Sequence, residues 1–200
     1  MTQEEWNARY NQQDTPWDLG GPTPELERLL EECRFSNKTH PRVLIPGAGS
    51  GYDALLLARD GFDVTALDFA SKPIAALSAK ASALKLKLEC LKTDFFDFAN
   101  HPSEHGLYDL IWEYTFFCAI PPEQRSAYTK AISLLLRPGG LFLALFFPLR
   151  PTSKLGPPYL VSKEEIQTLF SKDFIIHFEK PLASIEPRRG AELLGVFKKL

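Results

Sequence analysis

The sequence predicts an open α/β sheet, mostly parallel and seven-stranded, with helices on both faces. Three observations carry this. Short apolar runs alternate with helix-period segments along the chain; the runs at 42–46 and 141–147 are almost uninterrupted, as in strands covered on both sides; and three glycines follow directly on the first of them. At 200 residues one domain spanning 1–200 is expected.

The elements follow in order. RVLIP at 42–46 is the first strand, and VLIPGAGSG then places Gly47, Gly49 and Gly51 at every second position. The helix after them, YDALLLARDG, stops at Gly61, a C′ position. FDVTALD at 62–68 is the second strand. Ser71 is expected to cap the next helix, with Pro73 in its first turn. LKLECLKTD at 86–94 alternates apolar with charged residues as a third strand, and LYDLIWEY at 107–114 is the fourth. Pro121 and Pro122 open a helix through about Leu136, RPGG turns the chain, and LFLALFF at 141–147 is the fifth strand. RPTSKLGPPY at 150–159 reads as a loop, Ser162 and Glu165 as a capping box ahead of IQTLF, and DFIIHFE and LLGVFKK as the last strands.

Composition narrows the partners. The net charge of −2 leaves no basic footprint, so nucleic acid is not expected. MTQEEWNARYNQQ has neither the basic nor the apolar region of a signal peptide. The longest apolar run, Leu141 to Leu149 with Pro148 inside it, is too short to span a bilayer. No membrane partner is expected, and a cytoplasmic monomer is. Cys33, Cys90 and Cys118 form no CxxC pair and fit a reducing compartment. His101 and His105 are four apart, but Pro102 and the setting NHPSEHG point to a loop, so no metal is expected.

Open parallel sheets bind ligands beyond the carboxyl ends of their strands, where the glycine turn lies. Glycines so placed permit positive φ, or a ligand against bare backbone. The spacing is G-x-G-x-G, with Tyr52 where a dinucleotide fingerprint would have its third glycine, so pyrophosphate binding is not required. Asp68 ends the second strand, where a carboxylate can accept both hydroxyls of a ribose or simply cap the following helix. Asp94 and Phe95 end the third. An aspartate there can accept from an adenine amino group while the ring packs on the base; the alternatives are a turn cap and a core ring.

Taken with EEWNARYNQQDTPWDLGGPTPEL at the N-terminus and YDLIWEYTFFCAIPPEQRSAY at 108–128, these residues resemble the thiopurine S-methyltransferase family of class I, Rossmann-like S-adenosylmethionine-dependent methyltransferases. Within it they are most similar to the halide, thiol and thiocyanate methyltransferases. The resemblance covers nearly the whole chain, including RPGG and GPPYLVSKEEIQTLF. It implies S-adenosylmethionine as cofactor, S-adenosylhomocysteine as product, and residues 1–35 as a helical segment covering the cofactor. It further implies cofactor contacts at Trp6, Tyr10, Trp17, Gly47, Gly49, Gly51, Asp68, Asp94, Phe95 and Tyr114. A sulfonium is a cation with little hydrogen-bonding capacity, so aromatic faces suit it, at roughly 0.5–2 kcal/mol per contact. Trp6 and Tyr10 also satisfy an ordinary amphipathic helix. Two positions depart from the family: Tyr10 stands where tryptophan is frequent, and Glu113 where aspartate is usual.

The implied acceptor is a small thiol, thiocyanate or halide, with a thiopurine or metalloid oxyanion, or a nonenzymatic S-adenosylmethionine sensor, as alternatives. Tyr114 is the expected catalytic residue, its phenol donating to or orienting an anionic acceptor. Arg125 is expected to hold an anionic acceptor or the cofactor carboxylate, unless it is a solvated helix arginine. Phe116, Phe117 and Cys118 form a dry acceptor pocket, or in part core, and Cys118 is expected to be inert. Arg188 and Arg189 suit either an anionic substrate or solvated surface, and Glu186 has no clear role.

Overall fold

The computed structural model describes residues 1–32, 40–150 and 156–200. Cys33, the end of the expected N-terminal segment and residues 151–155 of the proline-rich stretch lie outside them. The chain divides into two compact units, Met1–Phe98 and Ala99–Leu200.

In the first unit α1 (Gln3–Asn11) and α2 (Pro24–Glu31) precede β1 (Arg42–Ile45), α3 (Tyr52–Arg59), β2 (Asp63–Asp68), α4 (Ser71–Ala83) and β3 (Leu88–Lys92); α5 (Phe95–Ala99) follows. β1 pairs in parallel with β2, and β2 with β3. Strand burial explains the sequence pattern. Val43, Leu44 and Ala66 are fully enclosed, whereas β3 is an outer strand with half-buried and exposed residues, hence its alternation of apolar and charged side chains.

The second unit contains β4 (Tyr108–Tyr114), α6 (Arg125–Leu135), β5 (Leu136–Phe146), α7 (Lys163–Phe170), β6 (Phe174–Glu179) and β7 (Leu193–Lys199). Its order is β4-β5-β7-β6, with β4 parallel to β5 and β7 antiparallel to both its neighbours. Among the described residues there are thus seven strands, mostly parallel, in the α/β arrangement that the alternation of elements implies. An aromatic block fills this unit. Phe142 stacks on Phe170 at 5.4 Å between ring centroids, and Phe197 lies 5.0 Å from Phe170. Each such pair adds about 0.5–1.5 kcal/mol to the burial of its rings. Among the described residues no helix is long and apolar enough to cross a membrane.

Local chemistry departs from the expected pattern at several ends. Ser71 is the first residue of α4 rather than its cap; Ala70 holds the cap position, and the Ser71 N–H donates to Asn7 Oδ1 at 3.0 Å. Ser162 does cap α7, accepting from Glu165 N at 3.1 Å, but the Glu165 carboxylate turns to Arg125 and leaves the box half made. A complete box sits instead at Thr2 and Glu5. The RPGG turn survives as a bulge in β5, since Tyr108 pairs with Leu136 but Leu110 with Leu141. Gly61, as expected, follows the end of α3 with φ of 90°.

Gly51, the N-cap of α3, has φ of 72°, and a Cβ there would fall 2.3 Å from a methyl of buried Leu77 on α4. Gly51→Ala therefore combines left-handed strain with overpacking, and is expected to cost about 2–4 kcal/mol in urea unfolding. Gly61→Ala is the control: nothing lies within 4 Å of its added methyl, so only the backbone strain of about 1–2 kcal/mol is expected.

Candidate functional site

The carboxyl end of β2 and the turn after β1 meet through one side chain. Gly47, Gly49 and Gly51 all have positive φ. The turn they form offers Gly49 N–H to Asp68 Oδ2 at 2.9 Å, while Asp68 Oδ1 accepts from Ala70 N at 2.8 Å. Asp68 thus binds the N–H of Ala70, the N-cap residue of α4, without itself capping that helix. Each of its oxygens keeps a second lone pair, so a further donor can still be accepted. The residue is 7 % exposed, and burial raises its carboxyl to about 6 against the pull of the two backbone donors.

The α1 helix stands over this turn, held by polar contacts. Gln3 Nε2 donates to Phe69 O, Asn7 accepts from Ser71 N, and Lys72 Nζ reaches Tyr10 O at 3.2 Å. Trp6 and Tyr10 lie one helical turn apart, and Trp17 packs edge-on to both, at 5.0 and 5.6 Å. This set already receives a cation: the Arg9 guanidinium lies 4.4 Å from the Trp17 ring centre. The Tyr10 hydroxyl is 3.1 Å from where a Gly49 Cβ would stand, so the turn is bare where the aromatic set approaches it. Burial, followed by the charge of Asp68, pushes the Tyr10 phenol up, so it stays protonated. Beyond the aromatic set, Asp53 accepts Thr23 N and Oγ1, both at 2.7 Å, which ties the start of α2 to α3.

In the second unit the end of β4 is braced by an acid. Glu113 Oε1 accepts from the N–H groups of Phe116 and Phe117, at 2.7 and 2.9 Å. Between them Thr115 has φ of 66°, a strained conformation for a β-branched residue. Glu113 is 1 % exposed, and burial raises its carboxyl to about 7 against these two bonds and the charge of Arg125. Tyr114 is half-buried; its hydroxyl donates to Glu192 Oε1 at 2.5 Å and accepts from Arg188 Nη1. The Arg188 guanidinium stacks 5.0 Å from the Tyr114 ring and 4.9 Å from Phe147.

The thiopurine S-methyltransferase family model matches residues 1–198. The chain belongs to the thiopurine S-methyltransferase family. Among its relatives, "Probable thiol methyltransferase 2" of Arabidopsis thaliana is 36 % identical over 97 % of this chain and 84 % of its own. "Thiocyanate methyltransferase 1" of the same plant is 34 % identical over 98 % and 84 %. The fold is shared with 1,6-didemethyltoxoflavin-N1-methyltransferase of Burkholderia thailandensis, solved with bound 1,6-didemethyltoxoflavin and S-adenosylhomocysteine. That match has a TM-score of 0.75 and 18 % identity, over 98 % of this chain and 86 % of that one.

In this family member several expected residues sit elsewhere than the sequence suggested. Phe95 is core, 3 % exposed, with its ring edge-on to Phe96; the half-buried Phe96 is the ring of that pair left open. Asp94 spends Oδ1 on capping α5, accepting from Phe96 N at 2.7 Å. Arg125 points inward: Nη1 bonds both Glu165 oxygens and the Leu160 carbonyl, and its guanidinium lies 4.6 Å from the Phe117 ring centre. At 1 % exposed it fastens α6 to α7, while Nε and Nη2 have no hydrogen-bond partner among the described residues. Phe117 and Cys118 are core, and only Phe116 of the expected pocket is half-buried. Burial holds the Cys118 thiol high, which fits an inert cysteine. Arg188 and Arg189 part company: Arg189 pairs with Glu186 at the surface, and Arg188 is 6 % exposed against Tyr114. Glu192 was not legible at all, because an acid just before a strand has no local signature.

Glu113 makes a pH-dependent contribution. A carboxyl raised above its ordinary value stabilises the fold while it holds its proton, and that contribution fades as the pH climbs towards 7. Glu113→Gln keeps an acceptor for both N–H groups and does not titrate. Its stability relative to the parent is expected to rise between pH 4.5 and 7, by on the order of 3 kcal/mol, in urea unfolding at a series of pH values.

Proposed function

We propose that the protein transfers a methyl group from S-adenosylmethionine to a small soft nucleophile, a thiol, thiocyanate or halide. One observation carries the cofactor assignment: a buried carboxylate with spare lone pairs closes a left-handed glycine turn beside three aromatic rings, two of which already attract a cation. The residues fit the group. Asp68 offers acceptors for a ribose, the turn at Gly47 and Gly49 leaves backbone bare for a nucleoside, and Trp6, Tyr10 and Trp17 offer quadrupoles to a sulfonium. Asp94 and Phe96 stand ready at the start of α5 for the base. Residues 1–32 would then be the described part of a covering segment over the cofactor. S-adenosylmethionine supplies an electrophilic methyl on a positively charged sulfur, whose departure as a neutral thioether needs no acid.

The protein's own share is alignment and the exclusion of water. Well-oriented reactants gain roughly 7–11 kcal/mol over free encounter, which explains why no strong nucleophile of the chain is required. Glu113 serves this by fixing the strained turn from which Tyr114 and Phe116 project. The relatives named for thiol and thiocyanate methylation support the acceptor class. A cytoplasmic monomer is part of the same reading, its compartment supported by cysteines that form no CxxC pair.

Incubation with S-adenosylmethionine and iodide, thiocyanate, bisulfide, an arylthiol or 6-mercaptopurine is expected to yield S-adenosylhomocysteine with at least one of the first four. No product above background with any of them would remove the enzymatic reading. In calorimetry, Asp68→Ala is expected to weaken cofactor binding about 10- to 100-fold, the worth of hydrogen bonds to a charged group. Unchanged affinity would refute the ribose role.

A further inference from the structure

We propose that Glu192 takes the proton of a thiol acceptor through the Tyr114 hydroxyl, so that the second unit is built for protonated thiols in preference to halides. This rests on the methyl-transfer reading above and names the acceptor class and the residue that selects it.

The hydrogen-bonding capacity of the Tyr114 phenol decides which acceptor it suits. A phenol has one proton to give and two lone pairs to offer. Tyr114 gives its proton to Glu192 Oε1 at 2.5 Å and receives Arg188 Nη1 on one lone pair. What the hydroxyl of this half-buried residue has left is an acceptor site. A halide needs a donor, whereas the S–H of a thiol needs an acceptor.

Turning the phenolic proton towards an anion would take away the partner of Glu192 Oε1. Oε2 of the same carboxylate is already buried without a hydrogen-bond partner among the described residues, and Glu192 is only 5 % exposed. A buried carboxylate with neither oxygen paired is costly, which locks the phenol in its present direction. The charges of Arg188 and Glu192 oppose each other across the same hydroxyl, so no uncompensated cation of this cluster invites a halide.

The step balances. A lone pair of the thiol sulfur forms the new S–C bond, and the C–S bond of the donor breaks with its pair going to the donor sulfur. The S–H proton passes to the Tyr114 oxygen while the tyrosine's own proton moves to Glu192 Oε1; the carboxylic acid then releases it to solvent. Glu192 acts through Tyr114 and is a positioning residue, whereas Tyr114 touches the acceptor. Other charged or titratable groups around this chain of contacts, among the described residues, include Arg188 on the turn before β7, Glu113 in β4, Cys118 just after it, and Arg125 of α6.

Thiocyanate, which has no proton to lose, supplies the reference. In Glu192→Gln, which keeps an acceptor for the phenol but not a base, the rate with an alkanethiol relative to that with thiocyanate is expected to fall about 100-fold, and likewise in Tyr114→Phe. A ratio that stays the same, whatever happens to the separate rates, overturns the role of Glu192. Wild-type protein that turns over thiocyanate while the ratio stays put leaves the methyl-transfer reading standing; wild-type protein inert to every acceptor removes both.

Binding gives a second readout. With S-adenosylhomocysteine in the donor's place, wild-type affinity for an alkanethiol is expected to be flat from pH 6 to 8, because the neutral thiol binds. The measurement is repeated in Glu113→Gln to remove a nearby carboxyl that burial raises to about 7. An affinity that climbs about tenfold per pH unit would mean the thiolate binds instead, and would overturn the proposal. Should Glu192→Gln fail to fold, the wild type decides: a solvent deuterium isotope effect on single turnover with the thiol and none with thiocyanate supports the relay, and equal effects refute it.

Discussion

A carboxylate buried at the end of a strand calls for donors, and in this protein backbone N–H groups of nearby turns supply them. Asp68 at the end of β2 gathers N–H groups from the glycine turn and from the entrance to α4. Glu113, next to last in β4, gathers those of Phe116 and Phe117. Burial raises both acids, Asp68 to about 6 and Glu113 to about 7, so ionising either one costs the fold stability. What they obtain in return is geometry. Each converts a loop that would otherwise wander into a turn of defined shape, and the residues proposed to meet cofactor and acceptor project from those turns.

The glycine turn, its preceding strand and Asp68 were legible because they obey local rules: an apolar run, then residues able to take positive φ, then an acid one strand later. Helix ends were legible where a single residue decides them, as at Gly61, and misread where two structures compete for one side chain. Glu165 is such a case. Its spacing from Ser162 promises a capping box, but Arg125, forty residues earlier, claims the carboxylate. Periodicity likewise could not tell Phe95 from Phe96, since in a helix as short as α5 neighbouring rings differ only in how the rest of the unit packs on them.

The least legible part was the polar cluster around Tyr114. Its members come from positions 114, 188 and 192, and only tertiary structure brings them together. Arg188 and Arg189 look interchangeable in EPRRG, yet one stacks between two aromatic rings and the other pairs with Glu186 in solvent. An arginine's destination depends on the direction in which its stem leaves the backbone. Here the 3-10 turn Glu186–Arg188 sets that direction.

The contact between Gly51 and Leu77 joins two jobs that are usually separable. The third glycine of the turn is bare to admit a leucine from α4, so the loop proposed to cradle a nucleoside is also a wall of the hydrophobic core. Bulk added at 51 would meet both Leu77 and its own left-handed φ, so the turn keeps its glycine and the leucine keeps its seat. Selection acting on the core at position 77 would therefore reach the shape of the turn through a side chain packed behind it.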